Sequence, residues 1–271
     1  MTRWLLVCTL VGGATAAGCT MGRDGDSAQS TEDDDLLASG SAAAMAEAAV
    51  AEQPDSGSAS DAGSATSCEK GKVKATEVVF IGESFIAQSG AIPRMMTDHA
   101  RAAGTIGATE SYRSFAVSGT QLANGQIPSQ YARAKAQSPV KVVLMDGGGN
   151  DLLWGGLCKD GPASCRKILE TVEALFAQMA RDGVTDVVYF FYPDPVGIGA
   201  AIKPAMDILR PQMKELCAQA TDLRCTWVDQ RESWNGNYDK FTSDGIHPTA
   251  AGARASSKQI WEAMVARCVA Q

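Results

Sequence analysis

From Thr76 onward, short apolar runs rich in Val and Ile alternate with stretches whose apolar positions step by three and four. No other feature of the chain narrows its folding options as far. The runs cover residues 77–81, 111–117, 140–145, 186–192 and 225–228, the second being the weakest. Strands this apolar suit a parallel sheet covered on both faces. The clearest helical stretch carries Cys165, Ile168, Leu169, Val172, Leu175, Phe176 and Met179 along one face and is stopped by Asp182-Gly183. Residues 128–137, 203–220 and 250–268 are further helical segments, with an interruption expected near Pro211. Such alternation implies an α/β fold: a three-layer α/β/α sandwich on a central, mostly parallel five-stranded sheet with right-handed crossovers. Chemistry in such folds sits beyond the carboxyl ends of the strands.

The alternation begins only after Cys68, so residues 68–271 are read as one domain. At about 200 residues it would bury roughly 70% of its unfolded surface. Residues 20–67 are dominated by Ala, Ser, Gly and Asp, and hold ten acids against one basic residue, Arg23. The composition predicts a disordered acidic linker spanning about 40 Å. With those charges set aside, residues 68–271 hold 22 Lys and Arg against 21 acids, so the chain's net charge of −7 comes from the linker. No basic field points to nucleic acid. Residues 1–19 pair Arg3 and the apolar stretch Trp4 to Gly13 with small residues up to Cys19, as an export signal does. The apolar stretch is too short to span a bilayer. Ala16-Ala17-Gly18-Cys19 resembles a bacterial lipobox, which implies lipidation of Cys19 and an envelope location. Ala16 stands where Leu is usual, leaving ordinary secretion as the alternative.

Six cysteines remain once Cys8 and Cys19 are set aside, an even number that predicts disulfides in an exported chain. Of the fifteen conceivable pairings, spacing favours Cys158 with Cys165, Cys217 with Cys225, and Cys68 with Cys268. A zinc site is the rival, but the chain has no C-x-x-C pair and only two histidines.

Four segments fall just beyond the ends of predicted strands. Gly82-Glu83-Ser84 follows the first, where Ser84 could be a nucleophile or simply cap a helix. Ser118-Gly119-Thr120 follows the second and offers a backbone amide unobstructed by a side chain. Asp146-Gly147-Gly148-Gly149-Asn150-Asp151 follows the third; its glycines admit a ligand near the backbone and the Asn150 amide can donate to an oxyanion. It lacks the Gly-Lys-Ser/Thr of a phosphate loop. Asp244-Gly245-Ile246-His247-Pro248 follows the last, with a spacing that lets a turn set the carboxylate against the imidazole. His99, the other histidine, sits in a helix-like stretch and is read as a surface or packing residue.

In this order the four segments resemble the blocks of the SGNH (GDSL-like) hydrolase superfamily, over nearly all of residues 76–268. The resemblance implies a flavodoxin-like sandwich in which Ser84 is the nucleophile, His247 the general base and acid, and Asp244 the residue that orients His247. It places an oxyanion hole at the amides of Ser84 and Gly119 and the Asn150 side chain. No metal or organic cofactor is required. Glu83 departs from the usual Gly-Asp-Ser, which leaves the setting of the nucleophile open. The G-x-S-x-G elbow of α/β-hydrolases is absent because Ile86 takes the second Gly position.

The resemblance implies a serine esterase working through an acyl-enzyme, with deacetylases, lipases, lysophospholipases and thioesterases all within the family. A tethered, near-neutral domain favours acetyl or short-chain esters, on polysaccharide or small molecules; a monomer is expected. Trp154 and Tyr192 would line the pocket or pack against it. An acyltransferase using the same residues and a silent glycan-binding module are the other readings.

Overall fold

Val78–Ile81 offers four apolar side chains in succession, so a strand made from it must be covered on both faces. It forms β1, and all four residues are buried. The chain is seen in a computed structural model that describes residue 68, residues 72–88 and residues 90–271. The export signal, Cys19 and the linker expected through residue 67 lie outside the described residues.

Four further strands follow: β2 (Arg113–Ser114), β3 (Val142–Met145), β4 (Asp186–Phe191) and β5 (Arg224–Asp229). They form one sheet in the order β2-β1-β3-β4-β5, and every pair is parallel. From β1 the chain first adds β2 on one side and then crosses to β3 on the other. That reversal opens a crevice beyond the carboxyl ends of β1 and β3.

Side chains alternate across each strand, which splits the interior in two. Val79, Ile81, Val143 and Met145 face one layer made by α3 (Gln126–Gln137), α5 (Arg166–Arg181) and α6 (Lys203–Gln219). Val78, Phe80, Val142 and Leu144 face the other, made by α1 (Ser84–Ala87), α2 (Ala91–Ala102) and α9 (Ala250–Ala266). His99 of α2 is half-buried and stacks on Trp261 of α9, with ring centroids 5.9 Å apart. Short helices α4 (Gly149–Leu153), α7 (Arg231–Trp234) and α8 (Tyr238–Phe241) occupy connections.

Two expectations need correction. The second strand spans only Arg113–Ser114, because it lies at the sheet edge and pairs with β1 alone. Phe115 and Val117 still donate to Phe80 O and Gly82 O, at 2.8 and 3.1 Å, as the chain peels away. The second correction is α6, which passes through Pro211 without a break. Pro211 has no N–H to offer the preceding turn. Buried Met206, Leu209 and Arg210 before it and Met213 and Cys217 after it hold both halves on the sheet.

Three disulfides tie the described residues: Cys68 to Cys268, Cys158 to Cys165, and Cys217 to Cys225. The first closes a separation of 200 residues. It sits near the amino end of β5, where Arg224 donates to Arg267 O at 3.5 Å.

Candidate active site

Gly82 directly follows β1 with φ of +143°, and any Cβ there would collide with Asp146 Oδ1. The turn it makes is gripped by Gln130 of α3, fully buried, which accepts from Gly82 N at 2.6 Å and donates to Gly82 O at 2.9 Å. Ser84 is delivered as the first residue of α1. Its hydroxyl lies 2.8 Å from His247 Nε2.

His247 comes from the turn before α9. Thr249 caps that helix by accepting from Gly252 N at 3.2 Å. Asp244 Oδ2 meets His247 Nδ1 at 2.6 Å, while Oδ1 accepts from the backbone of Ile246 and His247 at 2.9 and 2.7 Å. Burial alone would raise the Asp244 carboxyl; the His247 backbone N–H, the His247 ring and the Ile246 N–H outweigh it and hold the group well below the usual carboxylate range. Gly245 lets this turn press on the loop after β4, since a Cβ there would strike Val196 O.

Asn150 belongs to α4, directly beyond β3. Its side-chain amide donates to Thr120 O at 3.1 Å, which orients the group and leaves its second hydrogen available. Asp151 accepts from Leu122 N and Ala123 N at 2.9 and 2.8 Å, lacing α4 to the segment that follows Gly119. Ser84, Gly119, Asn150 and His247 all line one cavity of about 240 Å³, together with Trp154 and Tyr192. Trp154 stands 73% exposed. A larger groove of about 720 Å³ between α3 and α5 is lined by no Ser, Cys or His, so chemistry rather than volume picks out the site.

Two supporting residues escaped the sequence, and a third was visible there without its role. Gln130 is a polar residue on a face otherwise made of Ile127, Tyr131 and Ala134, and that break in the pattern was its only signal. Arg210, 6% exposed in its side chain, joins Asp194 and Asp229 at 3.0 and 2.9 Å and so anchors the loop lining the cavity. Glu83 is the third. It is 2% exposed, its N–H donates to Asp146 Oδ1 at 2.6 Å, and its carboxylate accepts from Gly148 N and Asn150 N at 2.7 and 2.9 Å. Burial, then the charges of Asp146 and Asp151, push the Glu83 carboxyl well up. Burial lifts Asp146 to about 7.

The model of the GDSL-like lipase/acylhydrolase family matches residues 80–255, well over half of the chain. Among solved structures, an acetylxylan esterase from Geobacillus stearothermophilus is similar at 14% identity and TM-score 0.53, over 69% of this chain and 93% of that one. A protein of Parabacteroides merdae assigned as a GDSL-like lipase reaches 16% identity and TM-score 0.56, over 72% and 98%. An α/β hydrolase from the metagenome of Lake Arreo reaches 16% and 0.53, over 74% and 98%. No curated protein matches the chain.

Proposed function

The chain belongs to the GDSL-like lipase/acylhydrolase family, and from that premise we propose that it is a serine esterase acting through an acyl-enzyme on Ser84. His247 Nε2 takes the Ser84 proton as Oγ attacks the ester carbonyl carbon. The amides of Ser84 and Gly119 and the Asn150 side chain hold the resulting oxyanion. Asp244 keeps His247 in the tautomer that presents a bare Nε2 and stabilises the imidazolium that forms. That imidazolium returns its proton to the departing alcohol oxygen. Water, deprotonated by His247, then attacks the acyl carbon, and the carboxylic acid leaves as Ser84 recovers its proton. The unbroken chain of contacts from Asp244 through His247 to Ser84, at 2.6 and 2.8 Å, carries this reading.

A cavity of about 240 Å³ falls below the usual range of roughly 300–1,000 Å³ for ligand pockets. That size favours an acetyl or other short acyl group. The exposed indole of Trp154 at its lip offers a flat apolar surface on which a sugar ring could lie. Acetylated polysaccharide therefore fits better than a long-chain lipid. Purified protein supplied with an aryl acetate, with and without a sugar acceptor, tests the reading. Hydrolysis lost in Ser84→Ala is expected; transfer to the sugar in place of hydrolysis would make the protein an acyltransferase, and no turnover on a broad ester panel would overturn catalysis.

The disulfides suit an exported protein. No helix among the described residues is long and apolar enough to cross a membrane. The segment preceding Cys19 would be cleaved, leaving a lipidated Cys19 as the new N-terminus, with residues 20–67 tethering the catalytic domain at the envelope. An N-terminal peptide whose mass lacks acyl chains would remove the anchor from this picture.

A further inference from the structure

We propose that Glu83 is a positioning residue that splints the nucleophile turn to the oxyanion loop and thereby sets where the Asn150 amide stands. The inference rests on the serine esterase reading and deepens it. Glu83 immediately precedes Ser84, and both of its ends are tied to the segment beyond β3. Its N–H reaches Asp146 Oδ1 at 2.6 Å. Its two carboxylate oxygens take separate partners, Oε1 the N–H of Gly148 at 2.7 Å and Oε2 the N–H of Asn150 at 2.9 Å. Three bonds therefore join the residue before the nucleophile to the loop that carries the oxyanion donor, one to the Asp146 side chain and two to backbone N–H groups.

The extra methylene that distinguishes Glu from Asp is what this span uses. One carboxylate must reach two amides on either side of Gly149, and the fit is close: a Cβ at Gly149 would stand 3.0 Å from Glu83 Oε2 and 3.2 Å from the Tyr192 ring. With the Asn150 backbone held on its N–H by Glu83 and on its carbonyl by Gln121 Nε2 at 2.9 Å, the side chain has only its own torsions to settle. Thr120 O settles those. Burying a carboxyl beside Asp146 and Asp151 is costly. An apolar residue at position 83 would avoid that cost, but it would leave two buried N–H groups unpaired and the loop free to drift from Ser84.

A double-mutant cycle on the full-length enzyme with an aryl acetate tests this. A Gln at position 83 presents one acceptor and turns an N–H₂ toward the other amide, so Glu83→Gln should lower kcat about tenfold to 100-fold, the range a misplaced group costs, with KM changed by less than about threefold. Because Glu83 acts through Asn150, the double variant Glu83→Gln/Asn150→Ala should be no slower than Asn150→Ala alone, within about threefold. Losses that multiply in the double variant, or wild-type kcat in Glu83→Gln, overturn the proposal. Should thermal melting show Glu83→Gln unfolded, Glu83→Asp, which keeps a carboxyl group but withdraws it, enters the same cycle under the same criteria. Normal turnover in Asn150→Ala would instead strike the oxyanion assignment itself, and Ser84→Ala reports separately on the esterase reading.

Discussion

Asp244 and Asp146 are both carboxyls of the site region, yet their surroundings drive them in opposite directions. Asp244 is held down by backbone N–H groups and the His247 ring, so it contributes stability above the ordinary carboxylate pKa and loses it as pH falls toward the lower folded value. Asp146 is raised to about 7 by burial. Its folded form binds a proton that the unfolded chain has already released between about pH 4 and 7, so its contribution declines as pH rises through that window. Glu83, raised by the same burial, adds a slope of the same sign. Asp146→Asn keeps an acceptor for the Glu83 N–H and removes the titration. Denaturant midpoints compared at pH 5 and pH 7.5 should therefore differ less in Asp146→Asn than in the wild type; an unchanged difference would mean that Asp146 does not titrate in that window.

Helix α6 illustrates how an element can survive a residue that its local sequence argues against. A Pro in a helix interior costs about 3 kcal/mol relative to Ala, and the expectation of a break at Pro211 followed from that figure. The break is missing because α6 is anchored on both sides of Pro211 by buried side chains, including Arg210 with its partners Asp194 and Asp229. Pro211 itself is exposed, so its replacement disturbs no packing. Pro211→Ala should raise stability by up to about 3 kcal/mol, reduced by the freedom the unfolded chain regains, and leave ester turnover unaltered. A thermal melt with no gain would show the helix to be strained elsewhere. Strand β2 errs in the other direction: its faint sequence pattern becomes two residues of ladder because an edge position demands little of its side chains.

Across the whole domain, the bond from Cys68 to Cys268 joins its two ends. Its neighbourhood at the amino end of β5 is the rim opposite the cavity holding Ser84 and His247, which opens beyond the strands' carboxyl ends. Replacing both cysteines by Ser should cost about 2 to 5 kcal/mol by releasing the unfolded chain, read as a lower denaturant midpoint, while kcat at 25 °C stays near wild type. A matching loss of kcat under folded conditions would mean that the staple and the site are coupled. The short motifs around Ser84, Gly119, Asn150, Asp244 and His247 stand out in the sequence as candidates; those of Ser84 and Asn150 directly follow strands whose apolar runs are visible locally, while Asp244 and His247 come after α7 and α8. The strands and the clearest helix were legible for the same reason: periodicity is a property of neighbouring residues. Ser84 and His247 are 163 residues apart, and their approach to 2.8 Å is set by where β1 and the turn before α9 come to rest on the sheet. The partners of Glu83 were invisible because they exist only where β1 and β3 lie side by side; pairing between distant strands is enforced by burial of the whole sheet, and no local segment encodes it.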